Sequence, residues 1–348
     1  MKEDEIYMRR CIQLARNGQN NASPNPMVGA VVVCDGLIVG EGYHIRCGEA
    51  HAEVNAIGAV KNESLLKRAT IYVSLEPCSH YGKTPPCADL IIEKQIPRIV
   101  VGCQDPFVQV AGRGIQKLRE AGREVVAGVL EEECRKLIGH FITAHTLGRP
   151  YIILKWAESA DGFIDINRTN GTAALLSTSH TAMLVHKKRA EADAILVGTR
   201  TAMLDNPSLN VRHWYGNNPL RIVPDKHLTL KPSLHLFDGT IPTLVYTFKE
   251  SSGSEQVEYV TLNPKQDLLP QVMADLHQRR IQTLLVEGGS QLLQSFIDNN
   301  LWDEIFVEKS QTQLMAGVKS PEIDERNRYL IEKNFGIYTF HYANENAR

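Results

Sequence analysis

No apolar run in this chain approaches a membrane span. The longest, such as Val28 to Cys34, stop far short of the roughly 20 residues that a bilayer requires. The opening Met1-Lys2-Glu3-Asp4-Glu5 lacks the basic-then-apolar order of a secretory leader, so a cytoplasmic protein without membrane contact is expected. A surplus of one charge is missing too. The 38 basic side chains stand against 40 acidic ones, which leaves no global field to hold a polyanion by counterion release, and nucleic acid is not an expected partner. Cysteine is sparse. Seven, an odd number in a long chain without a leader, fit reduced thiols and metal ligands better than a disulfide framework.

What is present implies two domains, because 348 residues exceed what one hydrophobic core ordinarily serves. Tyr7, Cys11, Leu14 and Ala15 recur at helical spacing within residues 5–16. Val28 to Val33 is β-branched, Asp35-Gly36 is a hairpin turn signal, and Leu37 to Gly40 resumes the apolar pattern. A helix over 51–60, a strand over 70–75, a helix over 87–94 and a strand over 98–102 complete a β-β-α-β-α-β order. That order predicts an α/β layer fold with ligands where the chain leaves its strand ends. The polar stretch Ala144 to Pro150 marks the boundary, giving domains of 1–147 and 148–348. Beyond it, strands are predicted over 151–154, 194–197, 220–223, 244–247, 257–261 and 283–286, with helices near 179–191 and 267–280. The second half is therefore α/β as well. Residues 336–342 are strand-like and receive no function.

Three positions carry the chemistry. His51-Ala52-Glu53 opens a predicted helix, Glu76-Pro77-Cys78 ends a strand, and Cys87 opens another helix. One imidazole and two thiolates (His51, Cys78, Cys87) are the ligand set of a catalytic zinc ion, which keeps its fourth position for water. Zinc lowers the pKa of that water to roughly 7, within reach of attack on a ring carbon bearing an amino group. Glu53 lies two residues past His51 on the first helical turn, where it can face the water without ligating. It is the candidate catalytic proton carrier to the ring nitrogen and then to departing ammonia. H-x-E followed by P-C-x-x-C marks zinc deaminases of nucleobases, but here eight residues, not two, separate the cysteines. The competing reading is a closed structural zinc site, for which His44, Cys47 and His80 stand near as fourth ligands. His80 and Lys83, on the longer loop, can donate to an anionic group of the substrate, unless Lys83 is only a solvated charge. Asn25, between Pro24 and Pro26, can read the amide edge of a ring, unless it serves the turn alone. A ring-bearing, phosphorylated small molecule is the substrate these residues suggest.

On these residues the sequence resembles the bifunctional riboflavin-biosynthesis deaminase-reductase family. The resemblance rests on Ser23-Pro24-Asn25-Pro26-Met27-Val28-Gly29, His51-Ala52-Glu53, Glu76 to His80, Thr84 to Cys87, Asp105-Pro106 and Ala111 to Gly114. It continues through Ser159 to Gly162, Asp205 to Arg212 and Val286-Glu287-Gly288-Gly289. It implies a cytidine-deaminase-like α/β/α layer domain followed by a dihydrofolate-reductase-like α/β domain. The first would deaminate 2,5-diamino-6-(5-phosphoribosylamino)pyrimidin-4-one, and the second would reduce the ribosyl side chain of the product with NADPH. It also implies a homo-oligomer, and a substrate contact at Asp105 beside Asn25, His80 and Lys83. Two departures stand out. Phe107 replaces the family's usual Asn, and Thr172-Ala173-Ala174-Leu175-Leu176 replaces a Gly-x-Ser-x-Trp-Ile stretch that touches substrate and nucleotide.

In the second half, Val286-Glu287-Gly288-Gly289-Ser290 ends a strand and opens a helix, where glycines let backbone N–H groups approach a phosphate. Arg189 and Arg212 can form a fork for the substrate phosphate, or belong to a surface salt-bridge cluster. The resemblance adds Leu209 and Glu287 as substrate contacts and Lys155, Thr201, Asp205, Gly288, Gly289 and Ser290 as cofactor contacts. Two alternatives stay open: a deaminase whose altered 172–176 stretch has cost the second half its nucleotide, and a nucleic-acid base deaminase with a C-terminal binding module.

Overall fold

The computed structural model describes residues 2–19, 21–81, 85–106, 111–168, 172–324, 327 and 329–344. The chain divides into two compact units, residues 1–148 and 149–348. Unit one begins with α1 (Lys2–Ala15), β1 (Gly29–Cys34), β2 (Leu37–Tyr43), α2 (Ala52–Gly58), β3 (Thr70–Leu75) and α3 (Cys87–Glu93). It ends with β4 (Arg98–Cys103), α4 (Arg113–Glu120), β5 (Glu124–Ala127), α5 (Glu131–Leu137) and α6 (Gly139–Leu147). Among the described residues its strands make one sheet, β2-β1-β3-β4-β5, with β1 antiparallel to both neighbours and the rest parallel.

Side chains alternate along a strand, so β1 sends Ala30, Val32 and Cys34 to one face of the sheet and Val31 and Val33 to the other. Ala52, Ala56, Ile91, Ile115 and Leu118 from α2, α3 and α4 cover the first face. Met8, Cys11, Ile12 and Cys134 from α1 and α5 cover the second. The result is the expected α/β/α layering, and burial on both faces is why β1 is a continuous apolar run. Asp35 and Gly36 both take positive φ, at 53° and 75°, as a two-residue hairpin turn requires. On β2, a Cβ at Gly42 would meet the Ala56 nitrogen at 2.4 Å, and one at Gly40 would meet the Ala56 carbonyl oxygen at 2.3 Å. The two glycines let α2 lie close against the sheet, which sets the depth of its first turn and of the motif residues there.

Unit two runs β6 (Tyr151–Glu158), β7 (Phe163–Asp165), α7 (Ser179–Glu191), β8 (Ala194–Leu196), α8 (Thr199–Asp205), β9 (Leu220–Pro224), β10 (Thr243–Thr247) and β11 (Val257–Thr261). It continues with α9 (Leu268–Gln278), β12 (Thr283–Val286), α10 (Ser290–Asp298), β13 (Glu304–Lys309), β14 (Val318–Lys319), β15 (Tyr329–Asn334) and β16 (Ile337–Ala343). Among the described residues, nine strands form one sheet in the order β11-β10-β9-β8-β12-β6-β13-β16-β15, parallel as far as β13 and antiparallel beyond. Leu154, Leu196, Ile222, Leu244 and Leu284 pack with α9 and α10, while Ile195, Val223, Val245 and Leu285 belong to the core of the other face. β12 lies between β8 and β6, so the chain leaves β8 and β12 at adjoining ends, where Gly198 N–H donates to the Gly288 carbonyl at 3.3 Å. No helix among the described residues is long and apolar enough to cross a membrane.

The N-terminal helix is tied to the sheet through charge. Arg98 on β4 donates to both Asp4 carboxylate oxygens at 2.9 Å, and the Tyr72 hydroxyl donates to Asp4 Oδ1 at 2.9 Å. These bonds, that of Arg98 foremost, hold the Asp4 carboxyl below its ordinary value. A carboxyl lowered on folding adds stability that is present above its unfolded pKa, about 4, and is lost as pH falls through the folded value. Asp4→Asn should therefore destabilise the neutral protein by about 1–3 kcal/mol. Thermal melts of the two proteins should differ at pH 7 and converge as the pH drops below about 4; a gap indifferent to pH would contradict the assignment.

Candidate functional site

Three ligand atoms meet in unit one. His51 caps α2 in extended backbone, Cys78 follows the end of β3, and Cys87 is the first residue of α3. His51 Nδ1 lies 3.6 Å from the Cys78 sulfur and 3.4 Å from the Cys87 sulfur. Tetrahedral zinc bonded to sulfur at about 2.3 Å and nitrogen at about 2.05 Å has a nitrogen–sulfur edge of about 3.6 Å. The residues present therefore fit that ion as they stand. Among the described residues this is the one group of three with metal-ligating atoms in such proximity, all within 4.8 Å of one another. None of the proposed fourth ligands joins it. His44 Nδ1 bonds the Ala50 carbonyl and its Nε2 the Asn25 Nδ2, each at 3.0 Å, while Cys47 and His80 are exposed. Because the Ala50 oxygen can only accept, Nδ1 carries the proton and Nε2 accepts from Asn25. His44 thereby fixes which way the Asn25 amide faces.

Glu53 is buried on the first turn of α2. Burial, then the negative Cys78 sulfur, push its carboxyl up to about 7. A divalent cation on the sulfurs works against that rise. Hydrogen bonds from Cys87 and His51 hold Cys78 down at about 4, with the Cys87 backbone N–H also donating to its sulfur at 3.2 Å. Cys87 is shifted upward in turn, mainly by its bond to Cys78. Asp105 is half-buried near the end of β4, whereas Lys83 and Phe107 lie outside the described residues.

Unit two contains a cavity of about 930 Å³, lined by Lys155 on β6, Thr201 and Asp205 on α8, Glu287, Gly288 and Gly289 between β12 and α10, and Ser290 at the start of α10. That volume suits a cofactor or small ligand. Thr201 Oγ1 accepts the Gly289 N–H at 3.0 Å, and Ser290 Oγ donates to the Lys319 carbonyl at 2.7 Å. Lys155 Nζ lies 3.5 Å from Glu308. Arg168, also in the wall, pairs with both Asp165 and Asp205 at 2.5 Å.

Residues 1–103 match the cytidine and deoxycytidylate deaminase zinc-binding region, and residues 150–308 match the RibD C-terminal domain. The riboflavin biosynthesis protein RibD of Aquifex aeolicus (strain VF5) is 40% identical over 309 residues, covering 87% of this chain and 86% of that protein. The chain belongs to the RibD family. RibD of Escherichia coli (strain K12) is 36% identical across 88% of this chain and 87% of its own. A Thermotoga maritima structure, a diaminohydroxyphosphoribosylaminopyrimidine deaminase/5-amino-6-(5-phosphoribosylamino)uracil reductase, matches with a TM-score of 0.90 at 36% identity, over 98% of this chain and 99% of that one. A zinc-binding deaminase domain and a RibD reductase domain, both serving riboflavin biosynthesis, are thus joined in one enzyme that acts on small molecules.

Three of the expected reductase contacts have definite surroundings in the structure. Arg189 makes no free fork with Arg212. Its guanidinium donates to both Glu287 oxygens at 2.9 and 2.7 Å and to the Asn210 carbonyl at 3.2 Å, because a buried cation needs a carboxylate more than it needs solvent. Arg212 is exposed and donates to Asn210 Oδ1 at 2.7 Å. Leu209 is 2% exposed and belongs to the apolar core. Of the 172–176 stretch, Ala173 to Leu176 line the cavity, and Ala174 N–H donates to Asp165 at 3.0 Å.

Sequence reading gave Arg168 no role and considered His44 only as a metal ligand. The first has no local signal. The second has one, a His within reach of an Asn fixed between prolines. Glu287→Gln should strand the Arg189 charge and cost about 3–5 kcal/mol. The expected readout is a lower unfolding midpoint, with most of the loss recovered in Arg189→Met/Glu287→Leu; an unchanged midpoint would show that the pair is not closed in solution.

Proposed function

We propose that unit one removes the 2-amino group of 2,5-diamino-6-(5-phosphoribosylamino)pyrimidin-4-one by hydrolysis. Unit two then reduces the ribosyl side chain of the product with NADPH, giving 5-amino-6-(5-phosphoribitylamino)uracil. The observation that carries this reading is the His51–Cys78–Cys87 triangle, whose edges of 3.4 and 3.6 Å suit tetrahedral zinc, with a buried carboxyl beside it. The meeting of the compact units at Gly148 supports assigning the deaminase to 1–147 and the reductase to 148–348.

Zinc held by His51, Cys78 and Cys87 supplies Lewis acidity, making water acidic enough to attack near neutral pH. Glu53 takes the proton of the attacking water, delivers it to the ring nitrogen and returns it to the leaving ammonia. Its place on the first turn of α2, two residues past His51, keeps the carboxyl beside the ligand group without making it a ligand. Asn25, oriented by His44, faces the ring amide, and His80 and Lys83 take the phosphate.

In unit two the cofactor supplies the hydride, so the chain has only to place it. The Thr201 hydroxyl accepts from Gly289 and keeps its own proton for a phosphate oxygen, beside the backbone amides of Gly288 and Ser290. Lys155 stands in the cavity wall as a cofactor contact and Glu287, held by Arg189, as a substrate contact, with Asp205 turned toward Arg168.

A coupled assay following ammonia release and NADPH oxidation tests both halves. Glu53→Gln should retain zinc, lose ammonia release by a factor of about 10²–10⁴, and still reduce deaminated product supplied to it. Loss of metal in that variant would overturn the role of Glu53. No NADPH oxidation by the parent protein with deaminated product would overturn the reductase assignment.

A further inference from the structure

Glu76 belongs to the Glu76-Pro77-Cys78 motif but not to the ligand group. It is 6% exposed, and a carboxylate so deep in a protein is unfavourable unless donors fill its lone pairs. Backbone fills them. Oε2 accepts the N–H of Asp105 at 3.2 Å and of Gly112 at 2.9 Å, and Oε1 accepts those of Gly114 at 2.8 Å and Ile115 at 3.2 Å. Two separate stretches of chain, the one after β4 and the first turn of α4, thus converge on one side chain. The amides of Gly114 and Ile115 are among those a helix leaves unpaired at its start, where a negative group is also favoured. Gly114 permits the approach, because a Cβ there would stand 2.0 Å from the Pro77 carbonyl oxygen and 3.2 Å from Glu76 Oε1. The start of α4 therefore rests on the peptide leading to Cys78.

We infer that Glu76 is a positioning residue for substrate binding in the deaminase: its carboxylate locks the backbone at Asp105 and the start of α4 to the strand end that carries Cys78. The inference rests on the deaminase reading of unit one. An amide cannot replace the carboxylate, since Gln offers one accepting oxygen and would turn its own N–H groups toward two of the four donors.

The test measures KM and kcat for ammonia release from the phosphoribosyl diaminopyrimidine, zinc content, and reduction of deaminated product, all on the full zinc-loaded chain. Glu76→Gln should raise KM by roughly tenfold or more, leave kcat and zinc near the parent values, and leave reduction unchanged. Glu76→Asp, which keeps the charge, should fall between. Where Glu76→Gln does not fold, Glu76→Asp decides the matter by the same measurements. A KM like the parent's in these variants overturns the inference, as does a kcat that falls in step with zinc at constant KM. A parent chain that releases no ammonia sinks the deaminase assignment and this inference with it.

Discussion

The constraint on which unit one depends is a distance. Three side chains, from a helix cap, the third residue past a strand and the first turn of another helix, must bring one nitrogen and two sulfurs to spacings of 3.4 and 3.6 Å. A metal's bond lengths tolerate errors of only about 0.2 Å, so the scaffold has to be stiffer than the site. β1 and β3 are buried on both faces, and the close seat of α2 at Gly40 and Gly42 leaves the His51 turn little freedom. The Cys87 N–H donated to the Cys78 sulfur joins the two remaining ligands through backbone. Core packing, strand-end chemistry and metal fit are here one requirement.

Unit two meets a different demand. Its cavity carries charge of both signs, and a charge in a half-dry wall is tolerated only when paired. The pairs are Arg189 with Glu287, Lys155 with Glu308, and Arg168 with Asp205 and Asp165. Arg168 lies just before the altered 172–176 stretch, and Asp165, which it grips, also accepts the Ala174 N–H. The 172–176 stretch is thus fastened to the cavity wall through Asp165 and Arg168.

What the sequence discloses follows from how local the cause is. The β1–β2 hairpin is legible because Asp35-Gly36 is a local signal, and the metal trio because each ligand sits at an element boundary with its own motif. β6 is expected over 151–154 but extends to Glu158, since Lys155 interrupts the apolar pattern on one face while Trp156 continues it on the other. β13 is missed because Glu304 and Glu308 alternate with Ile305 and Val307 in too short a run. α4 is missed for its high polarity, with only Ile115 and Leu118 as large apolar side chains to mark its buried face. The Arg189–Glu287 pair spans 98 residues of sequence, and no spacing rule reaches that far.

Glu76 and His44 mark a different boundary of sequence reading. Each stands in or near a recognisable motif, yet its partners include backbone atoms: four amides for Glu76 and the Ala50 carbonyl for His44. Any residue type can supply a backbone amide or carbonyl, so the partner's identity leaves no trace in the chain. The trace lies instead in what must be absent, such as the Cβ at Gly114 that would strike the Pro77 oxygen. A glycine that follows a motif at a distance is therefore informative in its own right. It marks where one part of the chain must touch another, and the residue it touches is where a buried, unassigned polar side chain should be sought.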